Sequence, residues 1–128
     1  MQEKTVLYIE DNFHNRRIVR KVLQSQGYTV VEAEDGLTGL AMVRELTPPL
    51  ILLDIGLPGM DGLEVVARIK ADTTLREIPV IALTASAMRG DRERFLAAGC
   101  DDYLSKPVQA QELLSKVREY LPNGTGSK

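Results

Sequence analysis

Sulfur and large rings are scarce in this chain: of its 128 residues one is cysteine, none is tryptophan and one is histidine. The single thiol, Cys100, excludes an internal disulfide and any multi-cysteine zinc site, which fits a reducing compartment, and it reads as a small buried residue. The longest apolar stretches, such as Pro48 to Asp54, fall far short of the ~20 residues of a membrane span. The amino-terminal Met-Gln-Glu-Lys lacks the apolar segment of a signal peptide. A basic excess is missing too: 16 Lys plus Arg face 18 Asp plus Glu, for a net charge of −2. That balance disfavours autonomous binding to nucleic acid or anionic lipid. The expectation is one compact cytoplasmic domain over residues 1–122, with the Asn-Gly-Thr-Gly-Ser-Lys segment over 123–128 as a loose tail.

What is present is an alternation of two patterns. Short apolar blocks at Val6 to Glu10, Val30 to Ala33, Leu50 to Asp54, Val80 to Thr84 and Tyr103 to Ser105 read as strands. Between them Ile18, Val19, Val22 and Leu23, then Leu37, Leu40 and Ala41, then Leu63, Val66 and Ile69 recur at helical spacing. Phe95 and Leu96 before Gly99 mark a fourth helix, and Leu113, Leu114, Val117 and Leu121 before Pro122 a fifth. Strand and helix in alternation predict an α/β fold, a doubly wound five-stranded parallel sheet flanked by five helices, because parallel neighbours require crossover connections. The first, third and fourth strands are continuously apolar and belong in the middle, covered on both faces. The second and fifth carry polar residues and suit the edges, which favours the order 2-1-3-4-5.

In such sheets ligands bind beyond the carboxyl ends of the strands where the order reverses, here between strands 1 and 3. Strand 1 runs into Glu10-Asp11 and strand 3 ends in Asp54, so three carboxylates from distant parts of the chain converge. Two unit charges about 5 Å apart repel by ~3 kcal/mol at an effective dielectric near 20, so the cluster opposes folding unless a cation or a proton relieves it. Helix capping accounts for one such acid but does not require three to meet. Magnesium suits the donor set, with Asp11, Asp54 and the Gly56 carbonyl as ligands and Glu10 holding a metal-bound water. Thr84 at the end of strand 4 and Lys106 after strand 5 add a hydroxyl and an ammonium to the same rim.

These residues resemble the receiver domains of two-component response regulators. The likeness is carried by Glu10-Asp11-Asn12, the run Leu52 to Gly62 around Asp54, Leu83-Thr84-Ala85, and Gly99 through Pro107 with Lys106-Pro107 at its end. It covers nearly the whole chain and implies the same sheet order. Met88-Arg89-Gly90-Asp91 and Gly99-Cys100 look most like single-domain regulators of the DivK kind, although receivers joined to hybrid kinases have the same appearance. The resemblance implies that Asp54 accepts a phosphoryl group from a sensor histidine kinase or histidine phosphotransfer protein, with Mg2+ bound and with Thr84 and Lys106 assisting. It also implies a cis Lys106-Pro107 bond.

The charge balance suggests a switch. Glu10, Asp11 and Asp54 are offset by one magnesium ion and Lys106, and adding a phosphoryl dianion leaves an excess negative charge whose oxygens demand donors. The Thr84 hydroxyl and backbone N–H groups near Ile55 and Ala85 are the nearest. Movement of Thr84 would open space beside strand 4, and Tyr103, which matches the family's switch aromatic, would turn to fill it. The signal is expected to leave by protein contacts over helix 4, strand 5 and helix 5, with no direct nucleic acid or membrane partner. Gly56 and Ser86 fall where the family tunes hydrolysis of the acyl phosphate, and both are small. His14 is not expected to take part, and Arg16, Arg17 and Arg20 are expected to form a solvated helix face, with Phe13 and Arg17 beside the cleft as possible kinase contacts.

Two other classes fit less well. Aspartyl-phosphate phosphohydrolases of the haloacid dehalogenase type use a similar residue set but want a second acid where Gly56 stands. An FMN carrier would need a hydroxyl- and glycine-rich loop after strand 1, where Glu10-Asp11 would repel its phosphate.

Overall fold

The computed structural model describes residues 4–57, 59–85 and 89–122. Pro58, Ser86 to Met88 and the proposed tail over 123–128 lie outside the described residues. In chain order the elements are β1 (Thr5–Ile9), α1 (Phe13–Gln24), β2 (Thr29–Ala33), α2 (Gly36–Leu46), β3 (Leu50–Asp54), α3 (Gly62–Ala71), β4 (Val80–Thr84), α4 (Arg89–Ala98), β5 (Asp102–Ser105) and α5 (Ala110–Tyr120). The strands form one parallel sheet in the order β2-β1-β3-β4-β5. The central strands β1, β3 and β4 are buried along their whole length, while the two edges are only partly so. The first strand sits one residue earlier than its apolar pattern suggests, so Glu10 follows the strand, although its N–H still reaches the Ala33 carbonyl at 2.9 Å.

Alternation of side chains along each strand builds two cores. Leu7, Ile9, Ile51, Leu53 and Ala82 pack with Leu40 and Val43 of α2, Val66 and Ile69 of α3 and Phe95 of α4. The intervening residues Val6, Tyr8, Leu50, Leu52 and Ile81 pack with Val19 and Leu23 of α1 and with Leu113 and Val117 of α5. The helices thereby divide, with α1 and α5 on one face and α2, α3 and α4 on the other. Burial of this many apolar side chains, at roughly 1.5–3 kcal/mol for a large one, drives the fold.

Local chemistry sets the helix ends nearest the carboxyl rim. Asn12, Asp35 and Asp61 cap α1, α2 and α3 by accepting from the N–H groups of Asn15, Thr38 and Leu63 at 2.8, 2.8 and 2.9 Å. Ahead of α3 the chain folds back onto the end of β3, where Gly62 N–H meets the Ile55 carbonyl at 3.2 Å. A Cβ at Gly62 would lie 2.6 Å from Ile55 Cα and 2.8 Å from the Asp54 carbonyl oxygen, so only glycine permits this return.

Candidate functional site

Glu10, Asp11 and Asp54 come together at the carboxyl ends of β1 and β3, with one carboxylate oxygen from each lying within 4.8 Å of the others. Glu10 is 1 % exposed and Asp54 5 %, whereas Asp11 is open to solvent. Lys106 closes the cluster from the loop after β5: its Nζ lies 3.0 Å from Asp54 Oδ1 and 3.3 Å from Glu10 Oε1. The Lys106 N–H donates to the Thr84 carbonyl at 2.8 Å, which ties that loop to the end of β4, and the Lys106-Pro107 peptide is cis, as the family resemblance implies. The convergence read from the strand ends is therefore present.

Each buried carboxylate is held by further donors. Glu10 Oε1 accepts from the Tyr8 hydroxyl at 3.0 Å and Oε2 from the Asn12 N–H at 3.2 Å. Asp54 Oδ1 accepts from the Gly56 N–H at 3.1 Å. The Ile55 N–H, an expected donor to the site, is instead committed to the Leu83 carbonyl at 3.0 Å, so Gly56 is the turn residue whose N–H meets the Asp54 carboxylate.

Burial raises the Glu10 carboxyl above the ordinary carboxylate range, and the charge and hydrogen bonding of nearby Asp54 raise it further against the pull of Lys106. For Lys106 burial works toward a lower value, but Asp54 and then Glu10 overcome it, and the ammonium is held above its usual range. The Tyr8 phenol is likewise pushed up, by burial first and then by Glu10, so it stays a hydrogen-bond donor through neutral and alkaline pH. Two buried carboxyl groups joined by a third, exposed one form a hard-oxygen donor set suited to a divalent cation, and the residues fit magnesium.

Thr84 is the last residue of β4 and is 5 % exposed, opposite Ser105 in the β4–β5 register. Tyr103, opposite Ala82, is half-buried against the α4-side core, and the Arg92 guanidinium of α4 lies over its ring at 6.0 Å. His14 is exposed on α1. Cys100 is buried, and burial pushes its thiol up to about 11.

One expectation is overturned. Arg16 is not on a solvated face: it is 7 % exposed and gives Nη1 to the Glu10 carbonyl at 2.8 Å and Nε to Glu32 Oε1 at 3.1 Å. Arg20 joins it, with Nη1 2.7 Å from Glu32 Oε2. Of the three arginines only Arg17 is exposed. The sequence held a signal for this, since Arg16 shares the inner face of α1 with Val19 and Leu23 at spacings of a helical turn. Tyr8 was also legible, because it precedes Glu10 by two on an alternating strand and so faces the same side.

Comparison with known proteins agrees with this geometry. The response regulator receiver domain family matches residues 6–118. The polar-differentiation response regulator DivK of Brucella anthropi is 43 % identical over 118 residues, covering 92 % of this chain and 96 % of that protein. Among solved structures, the receiver domain of a sensor histidine kinase from Pseudomonas aeruginosa, with a magnesium ion coordinated in its active-site cleft, superposes with a TM-score of 0.85 at 36 % identity, covering 92 % of this chain and 97 % of that one. A CheY-like receiver domain protein from Methanospirillum hungatei gives 0.84 at 30 % identity, covering 92 % and 93 %. With its five parallel strands in 2-1-3-4-5 order and its acidic cluster at the β1 and β3 ends, this chain belongs to the response regulator receiver domain family of two-component systems.

Proposed function

We propose that Asp54 is the phosphoacceptor, taking a phosphoryl group from a phosphohistidine on a sensor kinase or phosphotransfer protein. An Asp54 carboxylate oxygen attacks phosphorus, the phosphorus–nitrogen bond breaks, and the departing imidazole nitrogen keeps the electron pair and takes up a proton. The product on this chain is an acyl phosphate at Asp54. Asp11, Asp54 and the Gly56 carbonyl would hold Mg2+, with Glu10 reaching it through water, and the bound cation would offset charge on the phosphoryl oxygens. Lys106, already 3.0 Å from Asp54 Oδ1, supplies a fixed positive charge to the same oxygens. The Thr84 hydroxyl donates to the phosphoryl group once it is in place, and Tyr103 follows Thr84 as the switch aromatic, handing the signal to a protein target over α4, β5 and α5. No external substrate is turned over.

The observation that carries this reading is the single ammonium bridging two buried carboxylates beside a third, at the one place where the strand order reverses. Access for the donor fits as well. Lys106 and Tyr8 also line a groove of about 380 Å³ whose other walls include Ile18 and Val19 of α1 with Pro107 and Val108. Ile18 in that wall is 46 % exposed. An apolar groove walled in part by Lys106, the ammonium that touches Asp54, suits the side of a histidine-bearing helix.

The test is incubation with acetyl phosphate and magnesium followed by intact mass. The parent should gain one phosphoryl group, and Asp54→Asn and a magnesium-free control should not. No gain in the parent would defeat the reading.

A further inference from the structure

Both polar groups of the Glu10 backbone are paired. Its N–H is fixed to the Ala33 carbonyl at 2.9 Å, and its carbonyl oxygen receives Arg16 Nη1 at 2.8 Å. That carbonyl belongs to the peptide joining Glu10 to Asp11, so the guanidinium holds the plane from which the Asp11 side chain departs. Asp11 needs such help. It is exposed, and its carboxylate makes no hydrogen bond or ion pair among the described residues, unlike Glu10 and Asp54. Arg16 is itself locked, since Glu32 on the edge strand β2 accepts its Nε at 3.1 Å and uses its second oxygen to hold Arg20 at 2.7 Å. A planar guanidinium is suited to this double grip, one prong on a carboxylate and one on a carbonyl.

We propose that Arg16, braced by Glu32, is a positioning residue that presets Asp11 for the divalent cation. The inference rests on the magnesium site of the preceding section. It explains why a cation is buried next to a cluster that must attract another cation. On electrostatics alone Arg16 opposes magnesium, so its place there calls for a geometric return. Groups that orient metal ligands from behind commonly govern 10–100-fold in metal affinity.

That conflict of signs gives the experiment. Magnesium alone is titrated into the parent, Arg16→Met and Arg16→Lys, following the Asp11 and Gly56 amide resonances, with thermal unfolding measured on the same samples without metal. Positioning predicts that Arg16→Met binds magnesium about tenfold more weakly, and that Arg16→Lys, which keeps the charge but loses the fork, is intermediate. A merely electrostatic role predicts tighter binding in Arg16→Met and unchanged binding in Arg16→Lys. A merely structural role predicts lowered melting temperatures with unchanged affinity. Either result overturns the proposal. Should Arg16→Met fail to fold, Arg16→Lys decides alone: weaker binding supports positioning and unchanged binding refutes it. If the parent itself shows no magnesium-dependent shift, it is the magnesium site, and not the role of Arg16 alone, that fails.

Discussion

Tyr8 and Glu10 lie two residues apart at the end of β1, both about 1 % exposed, and the phenol of one donates to Oε1 of the other at 3.0 Å. A strand residue that reads as part of an apolar block is thus also a support for the acidic cluster. Hydrogen bonds to charged acceptors contribute about 1.5–3 kcal/mol when the surroundings are dry. Tyr8→Phe keeps the ring in its packing and removes only the donor, so chemical denaturation should show a loss in that range at neutral pH. Tyr28→Phe, which removes a different buried phenol, donor to the Leu121 carbonyl at 2.6 Å, should cost a comparable or smaller amount and leave acetyl phosphate reactivity untouched.

Gly62 is the second support. Since a Cβ there would meet backbone of Ile55 and Asp54 and not a movable side-chain tip, Gly62→Ala must displace the turn that carries Gly56 and its N–H contact to Asp54 Oδ1. A destabilisation of about 1–3 kcal/mol is expected, as for overpacking elsewhere, together with slower phosphorylation of Asp54. Gly39→Ala offers a contrast. Its clash, at 2.5 Å, is with the Ile9 side chain on the α2 side of the sheet, so it should destabilise while affecting the reaction less.

How far the sequence foretold this arrangement depends on what kind of contact set each feature. The sheet order was legible because burial on both faces leaves a continuous apolar imprint in β1, β3 and β4 and a mixed one in β2 and β5. Convergence of Glu10, Asp11 and Asp54 followed from that order. The Arg16–Glu32 pair did not, because it joins residues sixteen apart across a helix and an edge strand, and an arginine in a helix is ordinarily solvated. The end of α2 was equally hidden: it closes on Thr47 with φ of 41° and not on a glycine, a left-handed conformation that a β-branched residue rarely adopts.

Cys100 gives a pH signature separate from the acidic site. Burial, and next the charge of Asp101, raise its thiol to about 11. The folded chain therefore binds the thiol proton more tightly than the unfolded chain, where the ordinary value is about 8.5. Stability from this source is fully present below about pH 8.5 and is lost as pH rises toward 11. The parent should lose stability faster than Cys100→Ala across that window, as read by urea midpoints at pH 8 and pH 10. Thiol reagents should label native Cys100 slowly at pH 8 and rapidly once urea unfolds the chain.

Phe13 and Arg17 stand exposed in the first turns of α1, the helix that also contributes Ile18 and Val19 to the groove walled by Lys106. Neither contributes to the carboxylate cluster. Their replacement should leave chemistry at Asp54 intact while removing apolar area and a charge that a partner would meet. Anchors of this type often account for 1 kcal/mol or more of binding. For Phe13→Ala with Arg17→Ala, transfer from a cognate phosphohistidine protein should therefore slow about tenfold or more, chiefly through weaker association, while acetyl phosphate modifies variant and parent at the same rate. Parallel time courses with the two donors separate the effects: equal slowing with both would place Phe13 and Arg17 in the reaction chemistry and not in docking.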